Sequence, residues 1–170
     1  MTTIEFQAAV LEHKDRVHSY ARYLLRNPED ASDVAQECLV RLWRHRERVE
    51  PGPACRSWLL RAAHNLCIDR MRRRSTHLEV RQEPEAPEPA DSRPDALRVA
   101  QSAEIAQNLE KALLALNERD RAIVLLREVE GLPYDEIAAM LGLNLGTLKA
   151  TLHRTRDKLR SALLRAEVMP

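Results

Sequence analysis

A chain of 170 residues that is 44% hydrophobic and 31% charged has enough apolar material for a core, and its length allows one domain or two small ones. The formal net charge of +1 conceals blocks of opposite sign, no apolar run approaches membrane-spanning length, and the N-terminus carries acidic residues instead of a signal-peptide pattern; a cytoplasmic protein without membrane insertion is expected. Cys38, Cys55 and Cys67 are odd in number and lack C-x-x-C spacing, which argues against a disulfide framework or zinc ribbon. His64 with Cys67 and Cys55 lacks a fourth ligand, so neither a metal nor a cofactor is expected.

In chain order, Thr2 and Glu5 form a capping box for a first helix that buries Phe6, Val10, Val17, Ala21 and Leu24 and ends near Asn27. Asn27-Pro28 punctuates it. Ala31, Val34, Ala35, Cys38, Leu39, Leu42 and Trp43 then repeat at helical spacing, the most regular amphipathic stripe in the chain. Glu50-Pro51-Gly52-Pro53 interrupts, and a third helix from about Arg56 has Trp58, Leu59, Ala62, Ala63, Leu66 and Met71 on its apolar side. It ends in Arg70, Arg72, Arg73 and Arg74, more cations than the helix dipole requires, and arginine forks suit phosphate. From Gln82 to Asp95 four prolines and five acidic residues face Arg93 alone, the composition of a solvated linker. Beyond it Leu97, Ala100, Ile105, Leu109, Ala112, Leu113 and Leu116 define another helix. Asn117 caps the next, with Ala122, Leu125, Leu126 and Val129 inward and Gly131 at its end.

Pro133 opens a short helix, Tyr134 to Leu141, with Ile137, Ala138 and Leu141 on one face; Gly142 stops it in the left-handed region and Asn144 caps a second helix almost at once. Leu148, Leu152, Leu159 and Leu163 form that helix's apolar stripe. A turn this short, with the small Ala138 at the approach, specifies a helix-turn-helix. A merely solvated basic hairpin is the plainer alternative, but from Asn144 to Arg165 six Lys or Arg stand against Asp157, so the second helix seeks an anion. No strand-like alternation occurs. The expected fold is all-α: two small helical domains, 1–80 and 97–170, joined by a flexible acidic Pro-rich linker, 81–96, with the helix-turn-helix in the second.

Three segments together resemble the two-domain bacterial extracytoplasmic-function (ECF) sigma factors over nearly the whole chain. Asp30 to Trp43 looks like the family segment that docks on the clamp helices of the polymerase beta-prime subunit, and Arg56 to Arg70 like the helix that opens and reads the minus-ten element. Glu130 to Gly142, followed by Gly146-Thr-Leu-Lys149 and His153-Arg154, resembles the helix-turn-helix that reads the minus-thirty-five element. The resemblance implies that Asp33, Gln36, Glu37 and Arg41 bind polymerase and that Asn65, Asp69, Arg70, Arg72 and Arg73 bind minus-ten DNA. It also implies that the Val49 to Ala54 loop captures a flipped base, and that Thr147, Lys149, His153, Arg154 and Arg156 bind the minus-thirty-five element. Members commonly have Ser or Thr at the position of Pro133 and a Ser-Arg pair in place of Ala150 and Thr151, which implies one lost DNA contact here.

The implied partners are core RNA polymerase, through its beta-prime and beta subunits, promoter DNA and an anti-sigma factor. No catalytic residue is implied, and His64 and Asp69 are assigned to a helix surface and its DNA contacts. A sigma mimic that sequesters an anti-sigma factor, and a stand-alone helix-turn-helix repressor, stay open as rival readings.

Overall fold

The computed structural model describes residues 1–76 and 96–168, without the side chains of 96–103 and 166–168. The chain divides into two compact units, Met1–Glu85 and Ala86–Pro170. The described residues are helical with no strand. The acidic stretch expected as a linker lies outside them except for Ala96, where a helix begins.

The N-terminal unit packs three helices, α1 (Thr3–Leu25), α2 (Pro28–His45) and α3 (Pro53–Thr76). The capping box forms as expected: the Glu5 amide donates to Thr2 Oγ1 at 3.2 Å and the Thr2 amide to Glu5 Oε2 at 2.7 Å. Arg26, left-handed at φ 55°, and Asn27, whose Oδ1 accepts from the Asp30 amide at 2.9 Å, make the whole turn into α2, so α1 and α2 fold back on each other. Val17, Ala21 and Leu24 of α1, Val34, Cys38 and Leu42 of α2, and Leu59, Leu60 and Ala63 of α3 form the core. α3 starts at Pro53, earlier than expected, because proline fits a first helical turn whose amides lack partners.

All three cysteines are free and buried, and burial pushes Cys38 and Cys67 up to about 12. His64, expected on a surface, is buried instead, with Nδ1 at 2.9 Å from the Tyr20 hydroxyl across the α1–α3 interface. A buried polar ring needs such a partner, and helical spacing places His64 beside Leu60 and Cys67 on the inner face.

The C-terminal unit comprises α4 (Ala96–Ala115), α5 (Glu118–Val124), a π-helical turn (Leu125–Val129), α6 (Tyr134–Leu141) and α7 (Leu145–Val168). Arg121 is buried and joins α5 to the end of α4: its guanidinium donates to the carbonyls of Leu113 (3.0 Å), Leu114 (3.2 Å) and Leu116 (2.6 Å). These acceptors lie at or just past a helix end, where orphan carbonyls require partners. Asn117 caps α5 as expected, at 2.8 Å to the Asp120 amide.

Two expectations for this unit are corrected. Val129 is 62% exposed, while Glu130 is buried. The π turn, closed by Glu130 N–H donating to the Leu125 carbonyl at 3.0 Å, inserts an extra residue and advances the phase of everything after it. Ile105 and Leu109 are 57% and 40% exposed: among the described side chains of α4 the buried ones are Ala112 and Leu113 of its last turn, joined by Leu116 just past its end. Leu109 borders an open groove with Leu159 and Leu163 of α7, while the expected Leu97 and Ala100 lie outside the described side chains.

Burial holds the His64 imidazole down at about 4 against an ordinary 6.5. Below about pH 6.5 the unfolded chain takes up a proton that the folded unit refuses, so this stability is complete above that pH and is lost as pH falls toward 4. Both tryptophans, Trp43 and Trp58, lie in the N-terminal unit and report its unfolding alone. Followed by their fluorescence in urea, His64→Gln should flatten the loss of stability between pH 6.5 and 4 by on the order of 3 kcal/mol; an unaltered pH slope would show that the imidazole titrates normally.

Candidate nucleic-acid interfaces

On α2, Asp33 and Gln36 are exposed and Glu37 and Arg41 half-buried. Arg41 Nε donates to Glu37 Oε1 at 2.9 Å, one turn away, and this hydrogen bond holds the Glu37 carboxyl below its usual range. All four line a surface groove of about 480 Å³ whose other wall includes Asp69, Arg70 and Arg73 of α3. The residues implied for polymerase binding and part of those implied for minus-ten DNA therefore share one groove.

The arginine-rich end of α3 is less cationic than its sequence suggests. Arg70 Nη1 donates to Asp30 Oδ1 at 2.8 Å and to Asp33 Oδ2 at 3.4 Å, Arg74 Nη2 also pairs with Asp30, and Arg72 Nη2 donates to Asp69 Oδ1 at 3.0 Å. Three carboxylates thus pair with three of the four guanidinium groups, and only Arg73 lacks a carboxylate partner among the described residues. Asp30, 19% exposed at its side chain, is the shared acceptor, a role the sequence did not reveal because it depends on how α2 and α3 pack.

Nor does the implied minus-ten set occupy one face. Asn65 and Arg72 are exposed on the outer side of α3, whereas Arg70, five residues beyond Asn65 and so about 140° around the helix, turns to α2. Exposed Arg61 and Ile68, absent from that set, lie on the same side as Asn65. The expected base-capturing loop is displaced: the irregular stretch is 46–52, Pro53 and Ala54 belong to α3, and Val49 is buried.

The second interface is the helix-turn-helix. Gly142 ends α6 at φ 64°, with its amide donating to the Ala138 carbonyl; the Leu143 amide donates to the same carbonyl at 2.9 Å. Asn144 Oδ1 accepts from the Thr147 amide at 2.8 Å and starts α7. Pro133 precedes α6 with extended backbone and no side-chain cap. Leu148, Thr151, Leu152 and Thr155 bury one side of α7, and Thr155 Oγ1 donates to the Thr151 carbonyl at 2.8 Å. Thr151 is thus one of the packing residues of α7, 5% exposed.

The exposed side carries Lys149, His153 and Arg156 toward one edge and Thr147 and Arg154 toward the other, with Gly146 and Ala150 keeping the centre shallow. Arg156 donates twice to Glu128 Oε1, at 2.6 and 3.1 Å, and this bond raises its pKa further. His153 Nδ1 lies 3.2 Å from Asp157 Oδ2. Tyr134 and Arg127 were not singled out in the sequence: Arg127 lies over the Tyr134 ring at 4.4 Å and Lys149 at 5.8 Å, so the aromatic side chain seats cations from both sides of the turn. The π turn that aims Arg127 and Glu128 leaves no simple periodic signal.

Comparison with known proteins gives matches for both units. Residues 9–77 match Sigma-70 region 2 and residues 106–159 match Sigma-70, region 4. The chain is 37% identical over 155 residues to the ECF RNA polymerase sigma factor SigE of Mycolicibacterium smegmatis, covering 91% of this chain and 60% of that protein. It is 34% identical over 154 residues to the ECF RNA polymerase sigma factor SigM of Mycobacterium tuberculosis, covering 91% and 74%. The sigma factor RpoE from Bartonella quintana, solved in complex with the anti-sigma factor NepR, superposes with a TM-score of 0.75 at 26% identity, over 93% of this chain and 96% of that one. CnrH, solved with the cytosolic domain of CnrY, gives 0.62 at 27% identity, over 95% and 88%.

Asp30→Asn should release Arg74 and leave Arg70 only its longer pairing with Asp33. The expected outcome is a loss of about 1 kcal/mol from the N-terminal unit, because the ion pairs are partly solvated, and tighter binding to heparin at low salt. Unchanged heparin affinity would show that Asp30 does not mask these guanidinium groups.

Proposed function

The chain belongs to the ECF sigma factors, and we propose that it directs bacterial core RNA polymerase to specific promoters and helps to open them. The observation that carries this reading is a helix-turn-helix with capped ends and cations on both edges of α7, within the part matched to Sigma-70, region 4, on the same chain as a region 2 unit. Asp33, Gln36, Glu37 and Arg41 bind polymerase through its beta-prime subunit, with a further contact to beta; Asn65, Asp69, Arg70, Arg72 and Arg73 meet minus-ten DNA; Thr147, Lys149, His153, Arg154 and Arg156 meet the minus-thirty-five element.

The chain catalyses nothing in this account, since nucleotidyl transfer belongs to the polymerase. Opening is driven by binding: unpaired bases held on the protein offset their lost stacking and pairing. Domains 1–80 and 97–170, with 81–96 as spacer, act on two separated elements, and each contact raises the effective concentration of the other. The carboxylates beside Arg70, Arg72 and Arg74 keep the free chain from gripping DNA indiscriminately. An anti-sigma factor acts by covering the polymerase-binding surfaces, as suits a chain similar to a sigma factor solved with an anti-sigma factor. The site of action is the cytoplasm; no described helix is long and apolar enough to cross a membrane.

Run-off transcription from a randomised promoter library separates this reading from its rivals. With core polymerase the chain should yield specific transcripts, while alone it should bind the same promoters weakly. A mimic gives no transcript, and a repressor protects a symmetric operator without polymerase.

In salt titrations of holoenzyme binding to a selected promoter, with folding followed by urea unfolding, Lys149→Ala should weaken minus-thirty-five binding and reduce the dependence of log K on log salt by about one unit, with the fold intact. Leu152→Ala, in the core, should instead destabilise the C-terminal unit by about 2–5 kcal/mol. Equal loss of folding in both variants would remove the distinction between reading side and packing side.

A further inference from the structure

The outer side of α3 presents a pattern in which Asn65 and Arg72 have a role assigned above, while Arg61 and Ile68 have none. Arg61, Asn65, Ile68 and Arg72 are all exposed and follow one another at four-, three- and four-residue intervals, so they fall within an arc of about 60°. The opposite side is committed: Leu59, Ala63 and Cys67 are in the core, and Arg70 and Arg74 are tied to Asp30 of α2. Among the described residues Ile68 stays 40% exposed, between a residue able to hydrogen-bond base edges and one able to bind phosphate. From Arg61 to Arg72 the stripe spans about 16 Å, the length of roughly five nucleotides in a stacked strand.

From this placement we infer that Ile68 is a specificity-determining residue that reads the 5-methyl group of a thymine in the promoter element bound by α3. The chemistry selects that group. An isoleucine offers neither donor nor acceptor, and the thymine methyl is the apolar group displayed on a base edge. Arg61 and Arg72 at the two ends supply phosphate contacts that fix the strand, and Asn65, one turn earlier, supplies the polar contact that sets register. Covering both apolar surfaces in one contact contributes about the free energy of burying a single methylene, or three- to fivefold in binding.

The inference rests on the sigma-factor reading, and one experiment distinguishes the failure of each. Holoenzyme, assembled from the full chain and core polymerase, is assayed for open-complex formation on a promoter selected from the library, with each thymine of the minus-ten element replaced singly by deoxyuridine. The native protein should lose about three- to fivefold at one position. Ile68→Ala should lose the same amount with thymine present and show no further loss with uracil there, and Ile68→Val should keep most of the discrimination. Because the side chain lies outside the core, the variants should retain native helicity and tryptophan fluorescence. Thymine–uracil discrimination that is absent in the native holoenzyme, or that persists unchanged in Ile68→Ala, overturns the assignment of Ile68, as does a selected minus-ten element without thymine. If no library member supports initiation, the sigma-factor reading falls, and this inference with it.

Discussion

A helix has only one side to bury, and in α3 that choice is made by Leu59, Leu60, Ala63, His64 and Cys67. Once these face α1 and α2, the helix has no freedom to rotate, and the Tyr20–His64 hydrogen bond penalises any slip by stranding a buried polar group. The same commitment sorts the cations. Arg70 and Arg74 are carried round to α2, where Asp30 receives both, while Arg61 and Arg72 stay outside. A run of arginines that is uniform in sequence becomes two populations, one binding α3 to α2 and one on the outer side, where Arg72 pairs with Asp69 of its own helix.

The C-terminal unit applies the same logic with different materials. α7 buries two leucines and two threonines, and the threonines are tolerated because Thr155 satisfies its hydroxyl on the carbonyl of Thr151. With that side fixed, small residues line the centre of the exposed surface and cations its edges. A helix with a shallow centre and cationic edges has the shape and charge to fit a DNA groove between its phosphates. The cations are restrained by neighbours, Arg156 by Glu128 and Lys149 by the Tyr134 ring, so less side-chain freedom is lost when they engage.

What was legible in the sequence was local. Caps at Thr2, Asn117 and Asn144, the left-handed Gly142 and most of the stripe of α2 depend on residues within a turn or two, and the structure has them, except that Trp43 at the end of the stripe is 39% exposed. What escaped depends on partners distant in the chain or on a change of period. Val129 was assigned by continuing a 3.6-residue repeat through a turn that has a different one. Nothing near His64 in the sequence points to Tyr20, and the meeting of Asp30 with Arg70 needs the packing of two helices. Arg121 belongs to the same class: an arginine in an amphipathic helix reads as solvated until the carbonyls at the end of the preceding helix are placed beside it. The family resemblance carried the candidate contacts further than periodicity did, but it projected them onto a line of sequence, and the fold distributes that line over two sides of α3.

The three thiols give the protein a practical property. Each is enclosed by the N-terminal unit, and burial holds Cys38 and Cys67 in the protonated, unreactive form far above neutral pH, with Cys55 displaced in the same direction. A cysteine engineered onto the outer side of α7 would therefore be alkylated ahead of the native ones. A fluorophore could be attached there selectively in the otherwise unaltered chain, and its distance to a labelled promoter followed as the complex assembles.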